Sequence, residues 1–189
     1  VAIFISTSIG MIVGGISGYY GGWVDEVLMR LAEIIMSIPG FYLLLALAAV
    51  MPIDVPSQMR FFFIISILAF RGWAGMARVI RGMVLSAKNQ EYVLAAKAIG
   101  ASDIRIILKH VLPVTTTYVI VSATVAVPGY IILESGLSFI GLGIQEPAAS
   151  WGNMLASAQN ITSITGFPWM LIPGFMIFIA CLSYNLLGD

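Results

Sequence analysis

Apolar residues gather into five blocks separated by shorter polar runs. Residues 1–24 carry no charge, and neither do residues 34–53. Residues 61–81 form a third block, interrupted midway by Arg71, and residues 111–133 and 169–187 supply two more. A helix needs about 20 mostly apolar residues to cross the hydrocarbon core, so each block predicts one spanning helix, the first ending near Tyr20. The stretch 148–167 is uncharged yet polar, with Asn153, Gln159, Asn160 and several serines and threonines. It predicts an extramembrane or re-entrant loop rather than a sixth span.

The polar interruption between the third and fourth blocks has a pattern of its own. Tyr92, Ala95, Ala96 and Ile99 fall at i, i+3, i+4 and i+7, a single helical stripe. Ile104, Ile107, Leu108, Val111 and Leu112 repeat that spacing. Gly100 stands between the two stripes, where a left-handed residue ends a helix. Ser102 is placed to cap a second helix, with Asp103 in its first turn, where the helix dipole favours an acid. Pro113 predicts that this second helix does not run straight on. The segment reads as a helix-turn-helix of about 20 residues, edged by Lys97, Arg105 and Lys109. Periodicity leaves two uses open, an amphipathic segment lying on the inner leaflet or a handle for another protein.

Composition supports a lipid solvent. Hydrophobic residues make up 60% of the 189 and charged residues 10%, against about 25% charged in soluble domains; mean hydropathy is +1.01. A net charge of zero argues against nucleic acid as a partner. The one cysteine, Cys181, lies in an apolar run and offers no internal disulfide or metal site. Both ends abut apolar runs, which predicts a piece of a longer polypeptide. Basic residues are retained on the cytoplasmic side. Arg78, Arg81, Lys88, Lys97, Arg105 and Lys109 fall between spans three and four, Arg30 between spans one and two, and only Arg60 clearly on the other side. The loop 82–113 is therefore expected in the cytosol.

Two packing signals follow. Ser6, Gly10, Gly14, Gly18 and Gly22 recur every four residues, a small-residue face that lets two helix backbones approach closely in lipid. Packing within one bundle or a subunit interface both fit it. Pro-Gly pairs at 39–40, 128–129 and 173–174 predict bends in or beside three spans, which suit a structure with a pathway or plain packing equally.

The run Ala95-Ala96, three residues, Gly100, nine residues, His110, one residue, Leu112-Pro113 resembles the "EAA" loop of the membrane subunits of ABC-type importers. Leu94 stands where that family usually has glutamate, and His110 where it has isoleucine. Glu91-Tyr92-Val93 before the alanines and His110-Val-Leu-Pro113 are more similar to the dipeptide, oligopeptide and nickel permease family. So are Leu133-Glu134-Ser-Gly-Leu137-Ser138-Phe139-Ile-Gly141-Leu142-Gly143, Pro147, Trp151-Gly152-Asn-Met154-Leu155, Gly18-Tyr-Tyr-Gly21-Gly22 with Asp25 and Met29-Arg30, and the stretch from Trp73 to Gly82. The resemblance covers nearly the whole chain. It implies an all-α integral membrane protein of five transmembrane helices, one importer transmembrane domain over 1–189, missing an earlier span, the outer loop after it and a short tail. Glu91, Ala95, Ala96, Gly100, His110, Leu112 and Pro113 would form a cytoplasmic coupling helix-turn-helix that docks into a separate ATPase. The implied partners are a second permease subunit, two ATP-binding subunits and an extracytoplasmic solute-binding protein, with a bacterial or archaeal cytoplasmic membrane as the location.

The chain has no G-x-x-x-x-G-K-[ST] loop, no H-E-x-x-H and no G-x-S-x-G elbow, so neither ATP hydrolysis, catalysis, a metal nor a cofactor is expected of it. Arg71 is the unusual charge: midway along a span it costs at least about 3 kcal/mol unless it faces water, pairs or snorkels. A pathway-facing Arg71 would attract the carboxylate of a peptide. Glu134, expected at the outer end of span four, fits a cap, an ion pair or a gate. The reading favoured by these residues is an importer permease moving short peptides or a related small solute by alternating access. The alternatives are a nickel or other-solute importer of the same family, a gated channel or an ion-coupled carrier. A membrane-embedded enzyme would need a catalytic constellation that the sequence does not contain.

Overall fold

A computed structural model describes residues 1–52 and 55–188, without the side chains of Ala48 and 161–163. The described residues fold into helices and turns with no strand: α1 (Ala2–Tyr20), α2 (Gly22–Ser37), α3 (Gly40–Val50), α4 (Ser57–Ala87), α5 (Glu91–Ala98), α6 (Asp103–Ile106), a π-helical turn (Ile107–Val111), a 3-10 turn (Leu112–Thr115), α7 (Thr116–Phe139), α8 (Trp151–Ala156), α9 (Ile161–Gly166), a second 3-10 turn (Pro168–Leu171) and α10 (Ile172–Gly188).

Four helical stretches are long and apolar enough to cross a membrane, Ala2–Tyr20, Ser57–Ala87, Asp103–Phe139 and Pro168–Gly188. A fifth crossing exists if the broken pair α2 and α3 is counted as one span. The expected second span at 34–53 is corrected in this respect. Its first residues belong to α2, the chain breaks at Ile38-Pro39, and α3 has only 11 residues; Ile53 lies outside the described residues. Proline drives its predecessor out of the α region, and Ile38 is accordingly extended at φ −81°, ψ 120°. A count of uncharged residues is blind to that break. The other Pro-Gly pairs do not break their helices: Pro128 sits inside α7, and Pro173 falls in the first turn of α10, where a missing N–H costs little.

The chain forms two compact units, 1–38 with 69–123 and 39–68 with 124–189, so α4 and α7 contribute to both. In the first unit, α1 lies against α4 through its small-residue face. A Cβ on Gly14 would stand 2.5 Å from the Ala77 carbonyl, and one on Gly18 2.8 Å from that of Arg81. Gly10, Gly14 and Gly18 of the four-residue repeat are thus spent on this contact, whereas a Cβ on Gly22 would meet nothing within 4 Å. Ile80, Val84 and Ala87 of α4 form a buried cluster with Val93, Ala96, Ile106, Val111 and Val119. Ala32 of α2 packs with Trp73, Ala74 and Ala77. In the second unit Leu44, Ile64 and Leu137 form the core, and Ser57 donates to the Gln145 carbonyl at 2.7 Å. Arg60, buried, donates to the Pro52 carbonyl at 3.2 Å.

The second helix of the loop does not run straight on past Pro113: α6 passes through the π and 3-10 turns into α7, although the stretch stays helical from Asp103 to Phe139. Proline is absorbed because it sits at the start of the 3-10 turn, where its absent N–H is not required. One further expectation changes: Glu134 is not at the end of its span, since α7 continues to Phe139.

Candidate functional site

The segment 91–113 is ordered by its backbone. Gly100 has φ +82°, its N–H donates to the Lys97 carbonyl at 3.0 Å, and the Ala101 N–H reaches the Ala96 carbonyl at 3.1 Å. This pair of bonds closes a helix at a left-handed residue. A Cβ at Gly100 would meet nothing within 4 Å, so glycine is required there by backbone conformation and not by space. Ser102 occupies the N-cap of α6 but makes no side-chain cap bond. Asp103 instead accepts a hydrogen bond from the Tyr19 hydroxyl at 2.7 Å, which ties the end of α1 to the start of α6.

The apolar stripes divide differently from their spacing. Val93 and Ala96 are the buried residues of α5, and Ile106, Ile107 and Val111 are buried beyond it. Tyr92, Leu94 and Ala95 are exposed, Ile99 is 87% exposed, Ile104 68% and Leu108 60%. Both short helices are apolar on two faces; one meets α4 and the other is open. Of the coupling residues named from sequence, Glu91, Ala95, Gly100 and Pro113 are exposed, His110 and Leu112 half-buried and Ala96 buried. Leu112 touches α1 where Gly15 makes room: a Cβ there would lie 3.0 Å from it.

A charged clamp holds the support for this loop, and sequence spacing did not reveal it. Gly21 and Gly22, at φ +67° and +55°, reverse the chain between α1 and α2. Asp25 then accepts from the Ser17 hydroxyl at 2.5 Å and pairs with the guanidinium of Arg81 through both oxygens. Lys88 donates to the carbonyls of Gly18 and Tyr19 at 2.9 and 3.3 Å, satisfying acceptors that the end of α1 leaves open. Glu33 pairs with Arg78 at 3.3 Å and Arg30 at 3.4 Å along the same cleft of about 650 Å³. The sequence signals for these contacts are the motif Gly18-Tyr-Tyr-Gly21-Gly22 with Asp25 and Met29-Arg30, and the stretch Trp73 to Gly82, neither of which names its partner.

The two pathway candidates are placed differently. Arg71, near the middle of α4, is exposed and has no carboxylate within 4 Å among the described residues. Glu134, half-buried in α7, accepts from the Ser138 hydroxyl at 2.7 Å, and the Ser138 oxygen accepts the Ile144 N–H at 2.9 Å. Across from it α8 starts in a capping box, with Asn153 N–H on the Ser150 hydroxyl at 3.2 Å and Ser150 N–H on the Asn153 side chain at 3.0 Å. No cluster of three or more metal-ligating side chains occurs among the described residues.

Residues 9–189 match the family described as binding-protein-dependent transport system inner membrane component. The chain belongs to this family. It is therefore an inner membrane component, as the resemblance implied. It is 43% identical over its full length to the dipeptide transport system permease protein of Bacillus subtilis, covering 57% of that protein. Identity to the oligopeptide transport system permease protein of the same organism is 39%, again over the full chain and 59% of the relative. The Haemophilus influenzae oligopeptide transport system permease protein is 42% identical over 98% of the chain and 58% of its own length. The chain thus spans less than three fifths of each of these relatives. The matched region of the family includes both the loop 91–113 and the stretch 133–155.

Proposed function

We propose that this chain is the membrane-spanning part of a permease subunit in an ATP-driven importer of short peptides, moving them by alternating access. The observation that carries the reading is the loop 91–113, a rigid helix-turn-helix locked at Gly100 and packed on α4 by one apolar face while Ile99, Ile104 and Leu108 stand open on another. An open apolar face of that kind is what a docking surface offers a partner. In this reading Glu91, Ala95, Ala96, Gly100, His110, Leu112 and Pro113 belong to the segment gripped by a cytosolic ATP-binding subunit. Its closure on ATP moves α4, and α1 follows through the glycine contacts and the Asp25–Arg81 clamp. A second permease subunit completes the pathway, a solute-binding protein delivers the peptide, and Arg71 and Glu134 are its candidate contacts. The names of the relatives, which carry dipeptide and oligopeptide transport, support peptides over nickel.

Co-purification tests the docking: the intact complex retains the ATP-binding subunits, and deletion of 91–109 releases them while the chain still inserts. Uptake of labelled di- and oligopeptides against nickel complexes decides the solute. Retention of the ATP-binding subunits by the deletion variant contradicts the reading.

A further inference from the structure

Glu134 lies in a helical stretch apolar enough to span a membrane, and among the described residues no lysine or arginine lies within 4 Å of it. Its two oxygens accept from neutral donors, the hydroxyls of Ser138 at 2.7 Å and Ser135 at 3.4 Å. Such donors orient a carboxylate but leave its charge uncompensated, and a charge in an apolar setting calls for an opposite one. The carboxylate faces a hollow of about 300 Å³ whose other wall is Ser150, Trp151 and Met154.

That hollow is built, not incidental. Gly152 lets α8 close directly onto α7: a Cβ there would stand 2.2 Å from the Ser135 carbonyl oxygen. The Ser150–Asn153 capping box fixes the first turn of α8, and the Asn153 amide also donates to the Ala148 carbonyl at 2.7 Å. Trp151 and Met154 are thereby held beside Glu134. A carboxylate beside an indole attracts a cation by charge, and an indole is the aromatic wall that cations favour most. One carboxylate does not make a metal site. Each oxygen keeps a lone pair after accepting its serine hydroxyl, so the carboxylate still accepts from a cationic N–H donor. A short peptide carries such a donor as its amino terminus. The volume is at the small end of ligand pockets, about 300–1,000 Å³, enough for the amino-terminal residue of a peptide.

We infer that this hollow binds the primary ammonium group of the transported solute, with Glu134 as counter-charge and Trp151 as the wall. The inference rests on the importer reading and adds to it a site and a ligand chemistry.

The test uses the complete transporter in proteoliposomes and a dipeptide with a free amino terminus and a photoreactive diazirine on its first residue. Irradiation during turnover is expected to label 149–154, and the Glu134→Gln variant, which keeps an oxygen for Ser138, is expected to lower that labelling about tenfold. Labelling of the solute-binding protein should be the same in both. Import of the dipeptide by the wild-type protein without label on 149–154 overturns the site and leaves the importer reading intact. Equal labelling in Glu134→Gln overturns the role of the carboxylate. Loss of the second membrane subunit from the purified Glu134→Gln complex assigns the countercharge to a partner side chain and also overturns the proposal. Failure of the wild-type protein to import any peptide overturns the importer reading, and this site with it.

Discussion

The loop at 91–113 and the stretch at 134–154 are both turns between helices that share a backbone closure and differ in what their side chains add. The first is closed by backbone hydrogen bonds around a left-handed glycine, and its side chains are free to present an apolar face. The second begins with the same closure at Gly141, φ +80°, where the Gly141 N–H reaches the Ser138 carbonyl at 3.1 Å and the Leu142 N–H that of Leu137 at 2.9 Å. It adds side-chain bonds, Ser138 on Glu134 and the Ser150–Asn153 capping box, beside a small hollow. A backbone lock with an open apolar surface suits a rigid protein partner; a polar network around a hollow suits a small charged group. Their glycines differ in the same way. Gly100 is needed for its φ and touches nothing, whereas Gly152 is needed for its missing Cβ.

That contrast can be broken in steps. The largest effect is expected from Gly152→Ala, which drives a methyl into the Ser135 backbone and should cost roughly 1–3 kcal/mol, as overpacking does. Thermal unfolding of the purified complex measures it, and peptide uptake should fall with it. Gly100→Val comes next, at about 1–2 kcal/mol from left-handed strain alone. Membrane insertion should persist while ATP hydrolysis is uncoupled from uptake, read as more ATP consumed per peptide imported; normal ATP-driven transport by this variant would remove the loop from the mechanism. Tyr19→Phe deletes only the hydroxyl on Asp103 and should cost about 0.5–1.5 kcal/mol, visible as faster amide exchange in α6. Smallest of all, Ser102→Ala should change stability by less than about 0.5 kcal/mol, because the serine at that cap position makes no side-chain bond.

Much of this was legible in the chain. Apolar blocks mark α1, α4, α7 and α10, and Gly100 marks the hinge. The spacing Ser6, Gly10, Gly14, Gly18 marked the contact face of α1, though not α4 as its partner. Three things were hidden for physical reasons. Hydropathy does not register the backbone break at Ile38-Pro39, so α2 was absorbed into a loop and a span. Periodicity locates apolar stripes on a short helix but cannot say which of two faces is buried: Val93 and Ile106 lie off the stripes that spacing marks and are buried, while Tyr92 and Ile99 lie on one and are exposed. Contacts between distant residues, such as Asp25 with Arg81 and Tyr19 with Asp103, leave no local pattern.

The central claim is that the open face of 91–113 is held by another protein. Cys181 is the chain's single cysteine, so a Cys181→Ser background with Ile99→Cys places one thiol on that face. In the working transporter, a short thiol cross-linker is predicted to join residue 99 to an ATP-binding subunit, with a yield that changes between the ATP-bound and nucleotide-free states. A residue 99 that forms no cross-link and instead contacts lipid head groups throughout the transport cycle, as reported by a spin label, would contradict the account.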